Sequence, residues 1–217
     1  MNVAPSKENI LKRVRNALSQ PVPLPYPQAE GKQSVFQKQE GDLGVLFAES
    51  FSQLLGRFVF CAHHEELAEN LAVLAKTNQW RSIYCRELQL LHALEAHQIP
   101  GLNASADIRE ADAGLTTSEA LVARTGTVVL SAGQPSGRTV GVFPPVHLVV
   151  AYTDQLVYDI RDAFALLRDK YGDTLPSMLS FQSGPSRTSD IEKTSVVGVH
   201  GPKEVYVFLV DRSPEVI

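Results

Sequence analysis

Apolar positions along this chain follow two rhythms, and the switch between them sets the predicted elements. Ile10, Leu11, Val14, Ala17 and Leu18 recur at helical spacing behind Ser6, a residue suited to an N-cap. Lys7, Lys12, Arg13 and Arg15 lie mostly off that stripe. Packing on its own domain is the plainer reading of this helix, and docking on a partner is the alternative. The stretch 42–55 predicts a helix. RFVFCA (57–62) reads as a strand, 64–80 as a helix with Leu67, Leu71 and Leu74 on one face, RSIYC (81–85) as a strand and 86–98 as a helix. Ala106–Arg109 predicts a short strand and Thr116–Ala123 a helix. TVVLSA (127–132) and VHLVVAY (146–152) are unbroken apolar runs, the pattern of strands covered on both faces in a largely parallel sheet. A helix over 154–172, stopped by Gly172, and the strands SMLSFQ and EVYVFLVD complete the series. Alternation of this kind predicts an α/β fold: an open, mostly parallel sheet with helices on both faces. Ligands in such sheets sit outside the carboxyl ends of the strands.

Prolines at 21, 23, 25 and 27 break both rhythms and favour an extended arm. With the polar stretch 28–41 they divide the chain into an N-terminal helix and arm (1–40) and one α/β domain (41–217). The composition, 44% apolar, supports a packed core of that size. A formal net charge of -4 gives no global attraction to nucleic acid or to an anionic membrane. No apolar run approaches the roughly 20 residues that span a bilayer. The N-terminus has no signal-peptide layout, so the cytoplasm is the expected location. Cys61 and Cys85 are the only cysteines. They form no C-x-x-C pair and read as buried thiols in neighbouring strands, which leaves no cysteine set for an iron–sulfur cluster or a structural zinc.

Four glycine-bearing segments fall at predicted strand ends: Thr125-Gly126-Thr127, Gly133 to Arg138, Gly184 to Thr188, and Gly198 to Pro202. Such loops present backbone N–H groups to anions, and Arg138 and Arg187 add forked donors for a carboxylate or phosphate. The expectation is that all four meet at one positively charged pocket. Its candidate ligand-binding residues are Gly126, Thr127, Gly137, Arg138, His147, Gly184, Ser186, Arg187, Thr188, His200 and Gly201. Ser189 and Glu192 fit a capping box, a helix start; alternatively Asp190 or Glu192 faces the pocket as a base. With His200, these are the candidate catalytic residues. No metal site is expected: His63-His64 and the glutamates after them read as a solvated helix start. The dinucleotide and P-loop signatures are absent, and no G-x-S-x-G surrounds Ser136, Ser183 or Ser186.

The order T-G-T-V-V-L (125–130), G-R (137–138), P-P-V-H (144–147), G-P-S-R-T-S-D-I-E (184–192) and V-G-V-H-G-P (197–202) resembles the lactate-utilization protein C family, the LUD-domain group also called LutC/YkgG. The likeness runs over about residues 110–211. Where many relatives carry an acid before the first T-G, this chain has Arg124, with Glu119 five residues earlier. The resemblance implies a fold like the sugar-phosphate isomerases and coenzyme A transferases. It implies a part in oxidising L-lactate to pyruvate with two partners, one an iron–sulfur protein, and no cofactor on this chain. A non-catalytic scaffold or regulatory subunit, and a stand-alone isomerase- or transferase-like enzyme, are the alternatives.

Overall fold

Two continuous apolar strands form the centre of the fold. In the computed structural model, which describes residues 5–19, 41–103, 107–188 and 196–212, β7 (Val146–Tyr152) and β12 (Glu204–Val210) pair in parallel along their whole length. Nearly every residue of both is buried, which explains why neither alternates polar with apolar. Around them lie β1 (Arg57–Cys61), β2 (Ile83–Cys85), β3 (Leu102–Asn103) and β4 (Ala113–Thr117), giving an all-parallel sheet of order β1-β12-β7-β4-β2-β3.

One face of this sheet is covered by α3 (His64–Thr77) and α4 (Leu88–Glu95). Leu67, Leu71, Leu90 and Leu94 share a core there with Leu148, Val150 and Phe208. His63 and Glu66 cap the start of α3 reciprocally: Glu66 N donates to His63 Nδ1 at 3.3 Å, and Ala62 N donates to the Glu66 carboxylate at 2.7 Å. The opposite face receives α2 (Leu43–Gln53), whose stacked Phe47 and Phe51 are fully buried.

The same face also receives a second sheet, order β8-β5-β6-β9, made from β5 (Ala120–Val122), β6 (Thr127–Ser131), β8 (Leu156–Val157) and β9 (Leu179–Gln182). In it β6 runs antiparallel to both neighbours, so its apolar run belongs to this sheet and not to the parallel one. Helix α5 (Ile160–Tyr171) packs on it through Ala163 and Leu167 and stops at Gly172. A short pair, β10 (Arg187–Thr188) and β11 (Val196–Val197), completes the strands.

Several expectations are corrected. Thr116–Ala123 forms the end of β4, a two-residue link and β5, with no α-helix; Ala123 only opens a single 3-10 turn, Ala123–Thr125. Alanine, glutamate and leucine favour helix, but Ser118 to Ala123 are all buried, and strand pairing on both sides overrides propensity. Asp107–Arg109 is a turn, because the Asp107 carboxylate accepts from Arg109 N at 3.0 Å. Cys61 and Cys85 are buried, but β12, β7 and β4 stand between their strands. Burial pushes the Cys85 thiol up to about 12 and raises that of Cys61, so both stay protonated. The helix expected from 154 starts at Ile160, capped by Asp159.

The chain divides into compact units at Gln39 and Glu40. In the first, α1 (Pro5–Ser19) begins at Pro5, ahead of Ser6, and exposes Ile10, Leu11, Val14 and Leu18. The proline-rich arm lies outside the described residues.

Candidate functional site

A pocket opens at the amino ends of β7 and β12, the opposite edge of the sheet from the one the fold class suggested. Lys203 N donates to Pro145 O at 2.7 Å, tying together the entries to both strands. The 184–188 segment braces the turn before β12: Ser186 N donates to Pro202 O and Gly198 N donates to Ser186 O, each at 2.9 Å. Gly201 is needed at this contact, since a Cβ there would sit 2.9 Å from that of Ser186. The resulting cavity of about 490 Å³ is lined by Arg138, Val142, Phe143, Val199, His200 and Lys203, among others. Gly137, with φ of +63°, turns the chain into Arg138, whose Nη2 donates to Ser177 Oγ at 2.7 Å. No acid appears among the described lining residues, and neither Arg138 nor Lys203 has a carboxylate partner among the described residues.

Arg138, His200 and Gly201 are thus brought together, with Gly137 and Ser186 beside them. Gly126, Thr127, Gly184 and Arg187 are gathered elsewhere, at the C-terminal end of α2. Gly126 sits in the left-handed region against Ser50 and Phe51. Thr127 Oγ1 bonds Ser183 Oγ at 2.8 Å. The Arg187 guanidinium donates to Leu54 O, so it satisfies a carbonyl just past α2 and does not line the pocket with Arg138. Thr188 pairs with Val196 across β10 and β11. Asp190 and Glu192 lie outside the described residues.

His147 lies inside the molecule, fully buried between the two sheets. Its Nε2 is 2.9 Å from Thr116 Oγ1, and a Cβ on Gly141 would meet its ring at 3.0 Å. Burial pushes its pKa down to about 4, against a weaker opposing contribution from Gln182. The neutral ring is a buried connector between β4 and the second sheet, remote from any exchange of protons with solvent.

A network of acids lies at the carboxyl edge of the parallel sheet; sequence reasoning noted Glu119 for its place before T-G-T and missed Glu87. Glu87, between β2 and α4, is nearly buried and accepts from Thr117 N at 3.0 Å and from the hydroxyls of Thr117 and Ser136. Gln134 donates to Thr117 O at 3.1 Å, so residues 133–136 are pinned to the strand ends before the chain reaches Arg138. Glu119 accepts from Ser131 Oγ and Tyr171 OH at 2.6 Å and from Lys170 Nζ at 2.7 Å. Burial alone would raise its carboxyl, and Lys170, Ser131 and Tyr171 together outweigh that and lower it. Lys170 is half exposed, so Lys170→Ala is expected to cost about 1–3 kcal/mol in urea unfolding, less than a fully buried pair would. An unchanged midpoint would show that the two hydroxyls suffice for Glu119. Arg124 forks onto Asp159 at 2.8 and 3.0 Å and holds that carboxyl below its usual range.

A larger cleft of about 710 Å³ lies between α2 and the β1 edge. Its charged lining residues are Asp42, Glu49 and Asp211, the wrong sign for an anion. The pocket at Arg138 is therefore the better match to anionic chemistry. Two of its members escaped sequence reading: Lys203 follows V-G-V-H-G-P directly, and Phe143 precedes P-P-V-H. Position beside those motifs was the available signal.

This is an α/β protein in which a six-stranded parallel sheet is backed by a smaller, largely antiparallel one. The LUD domain family model matches residues 45–210, and the chain belongs to that family. Lactate utilization protein C of Bacillus licheniformis is 38% identical over 106 residues, covering 48% of this chain and 44% of that one. Its namesake in Bacillus subtilis is 37% identical over 106 residues, with the same shares. The match therefore spans less than half the length of these curated relatives. A crystal structure of a DUF162 family protein from Deinococcus radiodurans superposes with a TM-score of 0.56 at 18% identity, covering 77% of this chain and 96% of that chain, a likeness of fold. Among the described residues, no helix is long and apolar enough to cross a membrane.

Proposed function

We propose that this chain is a component of an L-lactate utilization system and takes part in oxidising L-lactate to pyruvate. It does so together with an iron–sulfur partner protein and a further subunit. Its own contribution is to bind a small carboxylate- or phosphate-bearing ligand between Arg138, His200 and Lys203. One observation carries the binding reading: two cations face a common cavity without an acid to neutralise them among the described residues. The names of the relatives supply the pathway. Only two cysteines are present, both buried and well separated, which supports the reading that the iron–sulfur cluster sits on the partner.

Deleting the gene from a strain with no second copy should abolish growth on L-lactate, and normal growth would overturn the pathway assignment. Arg138→Ala should lower the affinity for phosphate or lactate, measured by calorimetry, by about ten-fold or more while the thermal midpoint stays nearly unchanged. A protein that unfolds on this substitution would make Arg138 a structural residue.

The exposed apolar stripe and basic residues of α1 favour a second role, docking on a partner subunit. Pull-down of the iron–sulfur partner with and without residues 1–40 separates the two roles. Association that survives the truncation removes the arm from the interface.

A further inference from the structure

The pocket at the amino edge is larger and more apolar than lactate requires. Its volume of about 490 Å³ falls within the range of sites that hold whole cofactor-sized molecules. A three-carbon acid would fill a small part of it. The lining combines cationic and apolar side chains. Arg138 and Lys203 provide the charge, His200 a ring nitrogen donor or acceptor, and Val142, Phe143, Pro145 and Val199 an apolar wall. Phe143 is 57% exposed and Val199 46%, high for apolar side chains at the mouth of a cavity. An exposed aromatic face beside paired cations matches a ligand with a planar ring at one end and a dianion at the other. A phenyl ring gives stacking to any flat heterocycle, and a phosphate monoester satisfies both a forked guanidinium and an ammonium.

We propose that this pocket binds a phosphate monoester bearing a planar ring, of mononucleotide size. The inference rests on the anion-pocket reading above and narrows its ligand class. Arg138 and Lys203 take the phosphate, with Ser177 holding one edge of the Arg138 guanidinium so that its other donors remain aimed at the ligand. Phe143 takes the ring. Glu87 acts at a distance, since its bond to Ser136 fixes the segment that leads through Gly137 into Arg138.

The test uses the full-length chain and five probes: FMN, riboflavin, AMP, inorganic phosphate and L-lactate. Flavin fluorescence reports the first two and calorimetry the others. FMN or AMP is expected to bind about ten-fold tighter than inorganic phosphate, and FMN about ten-fold tighter than riboflavin. Arg138→Ala should weaken FMN and AMP and leave riboflavin unchanged. Phe143→Ala should weaken the ring compounds and leave inorganic phosphate unchanged, with folding of both variants checked by thermal midpoint. If phosphate or lactate binds, depends on Arg138, and is matched or exceeded by neither FMN nor AMP, the ring-bearing class is overturned and the anion pocket stands. If none of the five binds, or Arg138→Ala alters none of them, the anion pocket falls as well.

Discussion

Lowering the pH from 7 to 4 is expected to remove about 3 kcal/mol of folding stability through His147 alone. The ring is fully buried, and its pKa falls from the ordinary value near 6.5 to about 4 on folding. Between those values the unfolded chain takes up a proton that the folded chain refuses. The unfolded state therefore binds more protons in this window, and stability rises with pH across it. The contribution is complete above about 6.5 and is lost as the pH falls toward 4. Paired carboxylates such as Asp159 and Glu119, held below their usual range, also make stability fall as the pH falls, so the measurement is a difference. Urea unfolding of the wild type and of His147→Gln, repeated between pH 4 and 7, should give curves whose separation changes by that amount. A separation independent of pH would mean that His147 is solvated or charged in the folded protein.

The second large effect is expected at Gly126. Its φ of +55° disfavours a side chain by about 1–2 kcal/mol. A Cβ would also lie 2.6 Å from Phe51 N and 2.7 Å from Ser50 C, both backbone atoms in α2. Backbone cannot rotate out of the way, so α2 must lift from the sheet and disturb the Phe47–Phe51 stack in the core. Gly126→Ala is expected to cost about 3 kcal/mol or more. Gly137→Ala is the matched control: its φ is +63°, but the space around it is open, so only the conformational cost of about 1–2 kcal/mol applies. Equal losses at the two positions would show that conformation alone, and not the approach of α2, demands glycine at 126. The contrast also separates two uses of glycine that look alike in sequence. One lets a helix close onto a strand, and the other turns the chain into a ligand-facing arginine.

The family motifs divide in the same way. T-G-T, Gly184 and Arg187 gather at the end of α2, where Arg187 caps a carbonyl and Thr127 bonds Ser183, while Ser186 between them braces the turn before β12. G-R and V-G-V-H-G-P build the cavity at the amino ends of β7 and β12. A shared motif string thus reports two jobs, closure of the core and construction of a pocket. Only residues of the second group are expected to affect ligand affinity without affecting stability.

Sequence by itself determined which segments are strands and helices wherever period and burial agree: β7 and β12 as unbroken apolar runs, α3 and α5 as amphipathic helices, Gly172 as a stop. These follow from how often a side chain must face the core, and that is written locally. It also determined that glycine-flanked Arg138 and His200 are worth watching. Tertiary structure decided the rest. It placed β6 in a second sheet, turned the helix-favouring Ala120 to Val122 into buried strand, and set three strands between Cys61 and Cys85. It sent Arg187 to α2 while leaving Arg138 at a cavity on the amino edge. Each of these depends on pairing between segments distant in the chain, where the free energy belongs to the partner chosen, and a residue's own neighbours carry no record of that choice.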